Sequence, residues 1–158
     1  MKKLLIMSFV VLALAACSNK AAETQEGIKI PLITGKVWNY NVVTQNKPVV
    51  VTVMAGFCGY CKMMAPLLDK MAGDYKGKNV EFIFAFVDED ANSVKEIVKG
   101  LELKNATIAY NSGPLSMHLG VRGFPATYLV HKGEVVGEWS GYSQVHIASI
   151  KEKLNPLI

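Results

Sequence analysis

Residues 49–72 read VVVTVMAGFCGYCKMMAPLLDKMA and join two different apolar patterns at a pair of cysteines. The first pattern, residues 49–54, is an uninterrupted and mostly β-branched run between Pro48 and Gly56, which is typical of a strand buried on both faces. The second pattern repeats apolar residues at helical spacing after the cysteines: Met63, Met64, Leu67, Leu68, Met71 and Ala72. Cys58 is therefore predicted at the first turn of a helix that directly follows a buried strand.

The position of the two thiols predicts redox chemistry. Unpaired N–H groups and the positive dipole end of a helix N-terminus favour a thiolate at Cys58. Cys61 lies three residues later, on the same face of the helix. We expect Cys58 and Cys61 to be the catalytic residues and to form a redox-active disulfide. Cys58 would attack a substrate disulfide, and Cys61 would resolve the mixed disulfide.

Zinc sites use the same cysteine spacing, so a metal-binding alternative stays open. A structural zinc ion takes about four ligands, but the chain has no second C-x-x-C, and its histidines (His118, His131 and His146) form no H-x3-5-H pair. We therefore expect no cofactor and no metal. The alternative is a copper- or zinc-binding envelope protein that uses the two thiols and one histidine.

The rest of the chain alternates strands with helices. Strands are expected at residues 80–87, 106–110, 126–131 and 134–139, and helices at 93–101, 114–119 and 144–154. This alternation predicts an α/β domain with a sheet that contains parallel strands and has helices on both faces. We place this single domain at residues 28–158, which is long enough for one core of ordinary size.

Two motifs resemble thioredoxin. Residues 61–69, CKMMAPLLD, are similar to its first active-site helix, and residues 120–127, GVRGFPAT, to the segment that carries its cis-proline. Residues 133–136, GEVV, resemble the hairpin that follows. The resemblance covers roughly residues 35–155. It implies a thioredoxin fold, an α/β architecture with a central mixed sheet flanked by helices on both faces.

The expected helix and strand between Asp90 and Tyr110 exceed what a minimal thioredoxin needs. This extra helix–strand insertion is similar to that of the membrane-tethered thiol:disulfide oxidoreductases of the bacterial envelope, the TlpA/ResA-like lipoproteins. Residues 35–38 also resemble the short hairpin that opens those domains. The resemblance implies envelope proteins with disulfides as substrates and a membrane electron donor or acceptor as the recycling partner.

The resemblance also implies which residues shape a substrate groove and tune the cysteine pair: Phe57, Gly59, Tyr60, Phe124 and Pro125. Phe57 replaces the usual tryptophan of thioredoxin. Gly59 and Tyr60 replace its Gly-Pro and match the pair of the periplasmic disulfide isomerases. X–Pro bonds tolerate the cis form at a cost of about 0.5–1 kcal/mol, and the resemblance implies cis at Phe124–Pro125. A trans proline that starts a strand is the alternative.

One departure from thioredoxin concerns the proton of the resolving thiol. Thioredoxin has a buried aspartate six residues before its first active-site cysteine, and Thr52 occupies that position here. Phe84 stands where thioredoxin has a partnering lysine. Proton transfer at Cys61 must then use water or a group that the sequence does not identify.

The N-terminus predicts export and lipidation. Lys2 and Lys3 precede an apolar-and-small stretch at residues 4–16, which has the length of a signal peptide. Residues 14–17, LAAC, resemble a bacterial lipobox, so we expect a signal peptide at 1–16, lipid attachment at Cys17 and a flexible tether over 17–27. Ordinary cleavage after Ala15 is the alternative. The expected location is the cell envelope, facing the periplasm, with the outer membrane slightly favoured by Ser18 if the cell is Gram-negative.

The net charge of the chain does not indicate a class of binding partner. Without the signal peptide the chain has 15 basic and 13 acidic residues, a net charge of +2, and the basic residues are scattered. This pattern gives no support to nucleic-acid binding, and we expect none. We also expect a monomer. The predicted function is reduction of disulfides in envelope proteins by dithiol–disulfide exchange. The alternative within the same chemistry is an oxidase or isomerase of the envelope.

Overall fold

The computed structural model describes residues 27–158. The expected signal peptide at 1–16, Cys17 and the tether up to residue 26 lie outside the described residues. The strands are β1 Lys29–Pro31, β2 Val37–Asn39, β3 Val49–Met54, β4 Glu81–Phe86, β5 Thr107–Ala109, β6 Ala126–His131 and β7 Glu134–Ser140. The helices are α1 Tyr40–Asn46, α2 Gly59–Asp74, α3 Ala91–Gly100, α4 Gly113–His118 and α5 Gln144–Leu154. None of these helices combines the length and apolar character that crossing a bilayer requires.

Five strands form one mixed sheet in the order β5-β4-β3-β6-β7. Strands β3, β4 and β5 run parallel, whereas β6 is antiparallel to β3 and β7 is antiparallel to β6. Strands β1 and β2 pair separately as a short antiparallel ribbon, at the place where the sequence resembles an opening hairpin. In the β3–β4 register Met54 pairs with Phe86, so the loops that follow these two strands lie side by side.

The sheet separates two apolar cores. One core packs α2, α3 and α5 against side chains such as Val50, Phe84 and Leu129. The other packs the β1–β2 ribbon, α1 and α4 against the opposite face. All six residues of β3 are buried because helices cover the strand on both faces. The predicted central mixed sheet with helices on both faces is thereby confirmed.

The extra helix and strand are α3 and β5, as predicted between Asp90 and Tyr110. Asp69, buried on α2, fixes the loop between them. Its carboxylate accepts backbone N–H bonds from Lys104, Asn105 and Ala106 at 2.9–3.0 Å, and a fourth bond from the Asn105 side-chain amide. Burial opposes ionisation, but these four donors outweigh it and lower the pKa of Asp69.

Helix α1 is the element that the sequence patterns miss. Its seven residues, YNVVTQN, include several weak helix formers, and only Tyr40 and Thr44 are buried. Asn39 caps its first turn by accepting the Val42 N–H. The helix therefore depends on its cap and on packing against the sheet, neither of which gives a helical repeat of apolar residues.

Candidate active site

Cys58 is the N-cap of α2. Its backbone is extended, and its Sγ accepts the backbone N–H of Cys61 at 3.1 Å. A side chain at this position satisfies one of the N–H groups that a helix start leaves unpaired. Both Cys58 and Cys61 are free thiols, the first half-buried and the second buried. The N–H bond and the helix dipole together favour negative charge on the Cys58 sulfur.

Cys61 has a very different environment one turn later. Its side chain is only 2% exposed. Burial, first of all, raises the pKa of Cys61 to about 12, and a hydrogen bond with Cys58 adds to the effect. The charges of Cys58 and Asp88 raise the pKa further, while the backbone of Ala55 lowers it. Cys61 therefore stays protonated at neutral pH until a reaction step removes its proton.

The loop before β6 meets the two cysteines from the opposite side. The Phe124–Pro125 peptide bond is cis, which confirms the expected isomer and rules out the trans alternative. The Cys58 thiol donates to the Phe124 carbonyl oxygen at 3.5 Å. The fold thus brings two segments 66 residues apart together at the reactive sulfur.

Aromatic side chains line the exposed side of the site. Phe57 is 82% exposed and Tyr60 is 65% exposed. The Tyr60 ring stacks on Tyr142 with 6.4 Å between centroids and 13° between planes. Gly59 is exposed, and a Cβ there would meet no atom within 4 Å. Phe57, Gly59 and Tyr60 thus flank Cys58 along the chain, Phe124 contacts its sulfur, and Pro125 is buried next to Phe124. The functional roles of these five residues remain predictions.

Tyr142 is a site residue that no sequence pattern indicates. This residue lies in the connection between β7 and α5, 82 positions after its stacking partner, so no local pattern joins the two. An aromatic residue just after the predicted hairpin is the only signal that the sequence offers.

Thr52, at the position of the missing aspartate, lies inside the sheet. Its hydroxyl is hydrogen-bonded to the hydroxyl of Thr127 on β6 at 3.1 Å, and both residues are buried. Phe84, at the position of the missing lysine, is 1% exposed and belongs to the apolar core. Neither side chain can accept a proton from Cys61.

Asp88 is a second residue near the cysteines that no sequence motif indicates. It follows β4, and its Oδ2 accepts the backbone N–H of Gly56 at 2.8 Å. Gly56 lies in the loop between β3 and α2, two residues before Cys58. A polar residue that directly follows a parallel strand is the available signal, because functional side chains gather at the carboxyl ends of such strands.

The metal alternative lacks ligands in residues 27–158. There, no three side chains among His, Cys, Asp and Glu come together in an arrangement that could hold an ion. Two thiols alone fall short of the four ligands of a structural zinc site.

Among known proteins, thioredoxins are similar to this chain. The thioredoxin family model matches residues 29–105. The chain is similar to thioredoxin M4 of Arabidopsis thaliana chloroplasts, with 30% identity over 95 residues, 54% of this chain and 49% of that protein. It is also similar to an H-type thioredoxin of Chlamydomonas reinhardtii, with 38% identity over 44% of this chain and 58% of that protein. The chain thus spans about half the length of these curated relatives.

A third relative, thioredoxin of Thiocapsa roseopersicina, is 28% identical over 65% of this chain and 88% of its own length. Among solved structures, the exposed lipoprotein thioredoxin of Streptococcus pneumoniae has a TM-score of 0.69 at 23% identity over 82% of this chain and 98% of its own. A secreted disulfide oxidoreductase of Mycobacterium tuberculosis has a TM-score of 0.67 at 18% identity over 82% and 96%.

These structural neighbours have the same fold, and the family match covers the cysteine pair. The comparisons support the expected thiol:disulfide oxidoreductase. The topology is that of the thioredoxin fold, and the chain is similar to the thioredoxin family over residues 29–105.

Proposed function

We propose that this protein is a thiol:disulfide oxidoreductase that reduces disulfides in proteins of the bacterial cell envelope. One observation carries the proposal. Two free thiols with opposite environments share the first turn of α2, and the outer one faces the Phe124 carbonyl of the cis-proline loop. A half-buried sulfur held at a helix start suits attack, and a buried, protonated one suits resolution.

The chemistry transfers two electrons in two exchange steps. The Cys58 thiolate attacks one sulfur of the substrate disulfide, a new S–S bond forms, and the other substrate sulfur leaves as a thiolate. Cys61 then loses its proton and attacks the Cys58 sulfur. The substrate leaves reduced, and Cys58 and Cys61 remain as a disulfide. Return to the dithiol requires a partner that donates electrons, which we expect in the membrane.

The substrate groove consists of Phe57, Gly59, Tyr60, Phe124 and Pro125 in this proposal. The exposed rings of Phe57 and Tyr60 offer apolar contact beside the reactive sulfur. An extended peptide beside Phe124 could pair with its backbone by strand addition. The chemical class of substrate is therefore a polypeptide with an accessible disulfide.

Lipid attachment at Cys17 and an envelope location complete the proposal. They rest on the charged start, the apolar stretch and the LAAC motif of the N-terminus. The likeness in fold to an exposed lipoprotein thioredoxin and to a secreted disulfide oxidoreductase is consistent with this location. Disulfide exchange on protein substrates also belongs in compartments where disulfides persist.

The exchange reaction is tested by trapping its intermediate. With Cys17→Ser in place in both variants, the Cys61→Ser variant mixed with disulfide-bonded insulin should accumulate a mixed disulfide through Cys58 that dithiothreitol releases. The Cys58→Ser variant is the matched control and should form no such adduct. Insulin reduction by the Cys58→Ser variant at the wild-type rate would contradict the proposal.

The anchor is tested separately, in cells. Wild-type protein should incorporate labelled palmitate and sediment with membranes, whereas Cys17→Ser should do neither. Membrane sedimentation of an unlabelled Cys17→Ser protein would overturn the lipid anchor and would leave the exchange chemistry intact.

A further inference from the structure

The resolving step requires a group that removes the Cys61 proton. Cys61 is almost completely buried, and Thr52 and Phe84 occupy the positions from which thioredoxin would supply an aspartate and a lysine. The proton must therefore leave to water or to another acceptor near Cys61.

Asp88 is held at this loop by the parallel pairing of β3 and β4. Met54 pairs with Phe86, which sets Asp88 beside Gly56 two residues further along each chain. The Gly56 N–H then donates to Oδ2 of Asp88 at 2.8 Å. The carboxylate lies so close that a Cβ on Gly56 would be 2.9 Å from its Oδ1. The same Cβ would be 2.6 Å from Cδ1 of Ile97, so glycine at this position leaves room for both side chains.

The residue that precedes Gly56, Ala55, interacts with the Cys61 thiol through its backbone. Its carbonyl oxygen also accepts the Cys58 N–H at 3.1 Å. Asp88, the loop and both cysteines thus form one connected cluster.

We propose that Asp88 accepts the proton of the Cys61 thiol in the resolving step and takes the functional place of the aspartate that Thr52 replaces. This inference rests on the proposed function, because it concerns the second half of the same exchange reaction. Among the described residues no direct hydrogen bond joins Asp88 to the Cys61 sulfur, so in this proposal the proton is relayed through water. Asp88 is half-buried, so solvent can then take the proton from it.

The step balances as follows for a mixed disulfide between Cys58 and a substrate sulfur. The Cys61 S–H bond breaks, its proton passes through the water to the Asp88 carboxylate, and its electron pair attacks the Cys58 sulfur. The bond between Cys58 and the substrate sulfur breaks, and the substrate leaves as a thiolate. Asp88 then releases the proton to solvent or to that thiolate, and no external oxidant is needed.

The charges around Cys61 agree with this assignment. Two titratable groups act on its thiol, the Cys58 thiol from the same helix and the Asp88 carboxylate from the loop after β4. A carboxylate whose charge reaches the thiol disfavours the bare thiolate while it is itself ionised. It ceases to do so once it has taken the proton, so proton transfer to Asp88 relieves the repulsion.

Because of this coupling, the rate of the resolving step in the Asp88→Asn variant distinguishes two roles for Asp88. If Asp88 is only a neighbouring charge, its loss lowers the pKa of Cys61 and speeds the resolving step. If Asp88 accepts the proton, its loss slows that step. Asparagine still offers an oxygen to the Gly56 N–H, so the loop keeps its hydrogen bond in either case.

The experiment uses the full chain with Cys17→Ser, which leaves Cys58 and Cys61 as its only cysteines, and one equivalent of Ellman's reagent. The first thionitrobenzoate released reports attack by Cys58, and the second reports resolution by Cys61. With Asp88→Asn we expect the second release to slow at least about tenfold at pH 7, and the first to change less than about twofold. Glu89→Gln, an equal charge change at the adjacent exposed carboxylate, should alter neither release.

Acetate and imidazole buffers provide a readout that a structural role would not move. They should restore the second release of Asp88→Asn in proportion to buffer concentration, with little effect on the parent protein. If Asp88→Asn does not fold, Asp88→Ser serves the same comparison, with the thermal midpoint as the check.

Three results would overturn the inference. The second release of Asp88→Asn could be unchanged or faster, or both releases could slow equally, which would indicate a displaced loop. The third is a slow second release that no buffer restores. A parent protein that releases only one equivalent would instead refute the proposed function, and the role of Asp88 with it.

Discussion

At the residue scale, the two cysteines of the site are three positions apart but differ in burial and in hydrogen bonding. Cys58 caps α2 at its N-terminus and reaches the surface, whereas Cys61 lies one turn inside, under the loop that carries Ala55. Burial penalises a thiolate at Cys61, and the cap hydrogen bond favours one at Cys58. In the proposed reaction, this contrast sets the order of attack by Cys58 and resolution by Cys61.

The raised pKa of Cys61 predicts selective alkylation of the reduced protein. Because that pKa is about 12, the thiolate fraction of Cys61 stays small at pH 8 and grows only at strongly alkaline pH. With Cys17→Ser in place, iodoacetamide at pH 8 should add one group to the native protein, at Cys58, and a second only in guanidinium chloride. Mass spectrometry of peptides measures both. Equal labelling of the two cysteines in the native state would contradict this account.

The hydroxyl pair of Thr52 and Thr127 predicts a stability effect without a redox effect. Thr52→Val leaves the Thr127 hydroxyl buried and unpaired, which should lower the free energy of unfolding by about 1–2 kcal/mol. The double variant Thr52→Val, Thr127→Val removes both polar groups and should recover most of that loss. Urea unfolding measures the free energy of unfolding of both variants. Their rates of insulin reduction should match that of the wild type. A double variant as unstable as the single one would refute the pairing.

At the element scale, the insertion α3–β5 is attached to α2 through one carboxylate. Asp69 accepts three backbone N–H groups from the loop before β5, so the edge strand of the sheet and the helix that carries the cysteines are fixed to each other. Backbone donors that would otherwise be unpaired in this half-buried loop are satisfied in this way.

Asp69→Asn should therefore destabilise the fold by about 2 kcal/mol at pH 7. Asp74→Asn on the same helix is the control: its ion pair with Lys151 at 3.2 Å is exposed, and its loss should cost less than about 1 kcal/mol. Urea unfolding measures both variants. Equal losses in the two would contradict the anchoring role of Asp69.

The ionisation of Asp69 predicts that the free energy of unfolding depends on pH. The fold lowers the pKa of Asp69, because its four hydrogen-bond donors outweigh the effect of burial. Its contribution is therefore fully present above the ordinary aspartate value of about 3.9 and disappears as the pH falls through the folded value. The stability difference between wild type and Asp69→Asn should be constant from pH 8 to pH 5 and shrink below about pH 4. A stability difference that grows on acidification would contradict the lowered pKa of Asp69.

A second link between elements is the stack of Tyr60 on Tyr142, which joins the start of α2 to the connection before α5. Tyr142→Ala should lower kcat/KM for insulin by roughly two- to tenfold, the equivalent of one aromatic contact. Tyr142→Phe keeps the ring and should match wild type. The rate with Ellman's reagent should be unchanged, since this small disulfide needs no peptide groove. A parallel loss with both substrates would refute a role in the groove.

At the scale of the whole molecule, the periodic elements could be predicted and the contacts between distant loops could not. Helix α5 has the predicted bounds, residues 144–154, because it carries a clear apolar repeat, and the C-x-x-C motif located Cys58 at the start of a helix. Helix α1 has no such repeat. Asp88 and Tyr142 belong to the site only through strand register and ring stacking, so no spacing in the sequence indicates them.

The reduction potential of the Cys58–Cys61 pair is the quantity through which the fold determines the proposed chemistry. It integrates the cap on one thiol, the burial of the other and the residues between them. The gap between about −270 mV for thioredoxin and about −120 mV for the strongest periplasmic oxidant corresponds to roughly 7 kcal/mol. A reductase belongs near the first value and an oxidase near the second.

The most direct test equilibrates the full chain with Cys17→Ser in dithiothreitol and glutathione redox buffers and measures the oxidised fraction by alkylation and mass. We predict one two-electron transition near the thioredoxin value of about −270 mV. A transition near about −120 mV would contradict the assignment as a reductase and favour the oxidase or isomerase. Failure to form any Cys58–Cys61 disulfide would contradict the redox account itself.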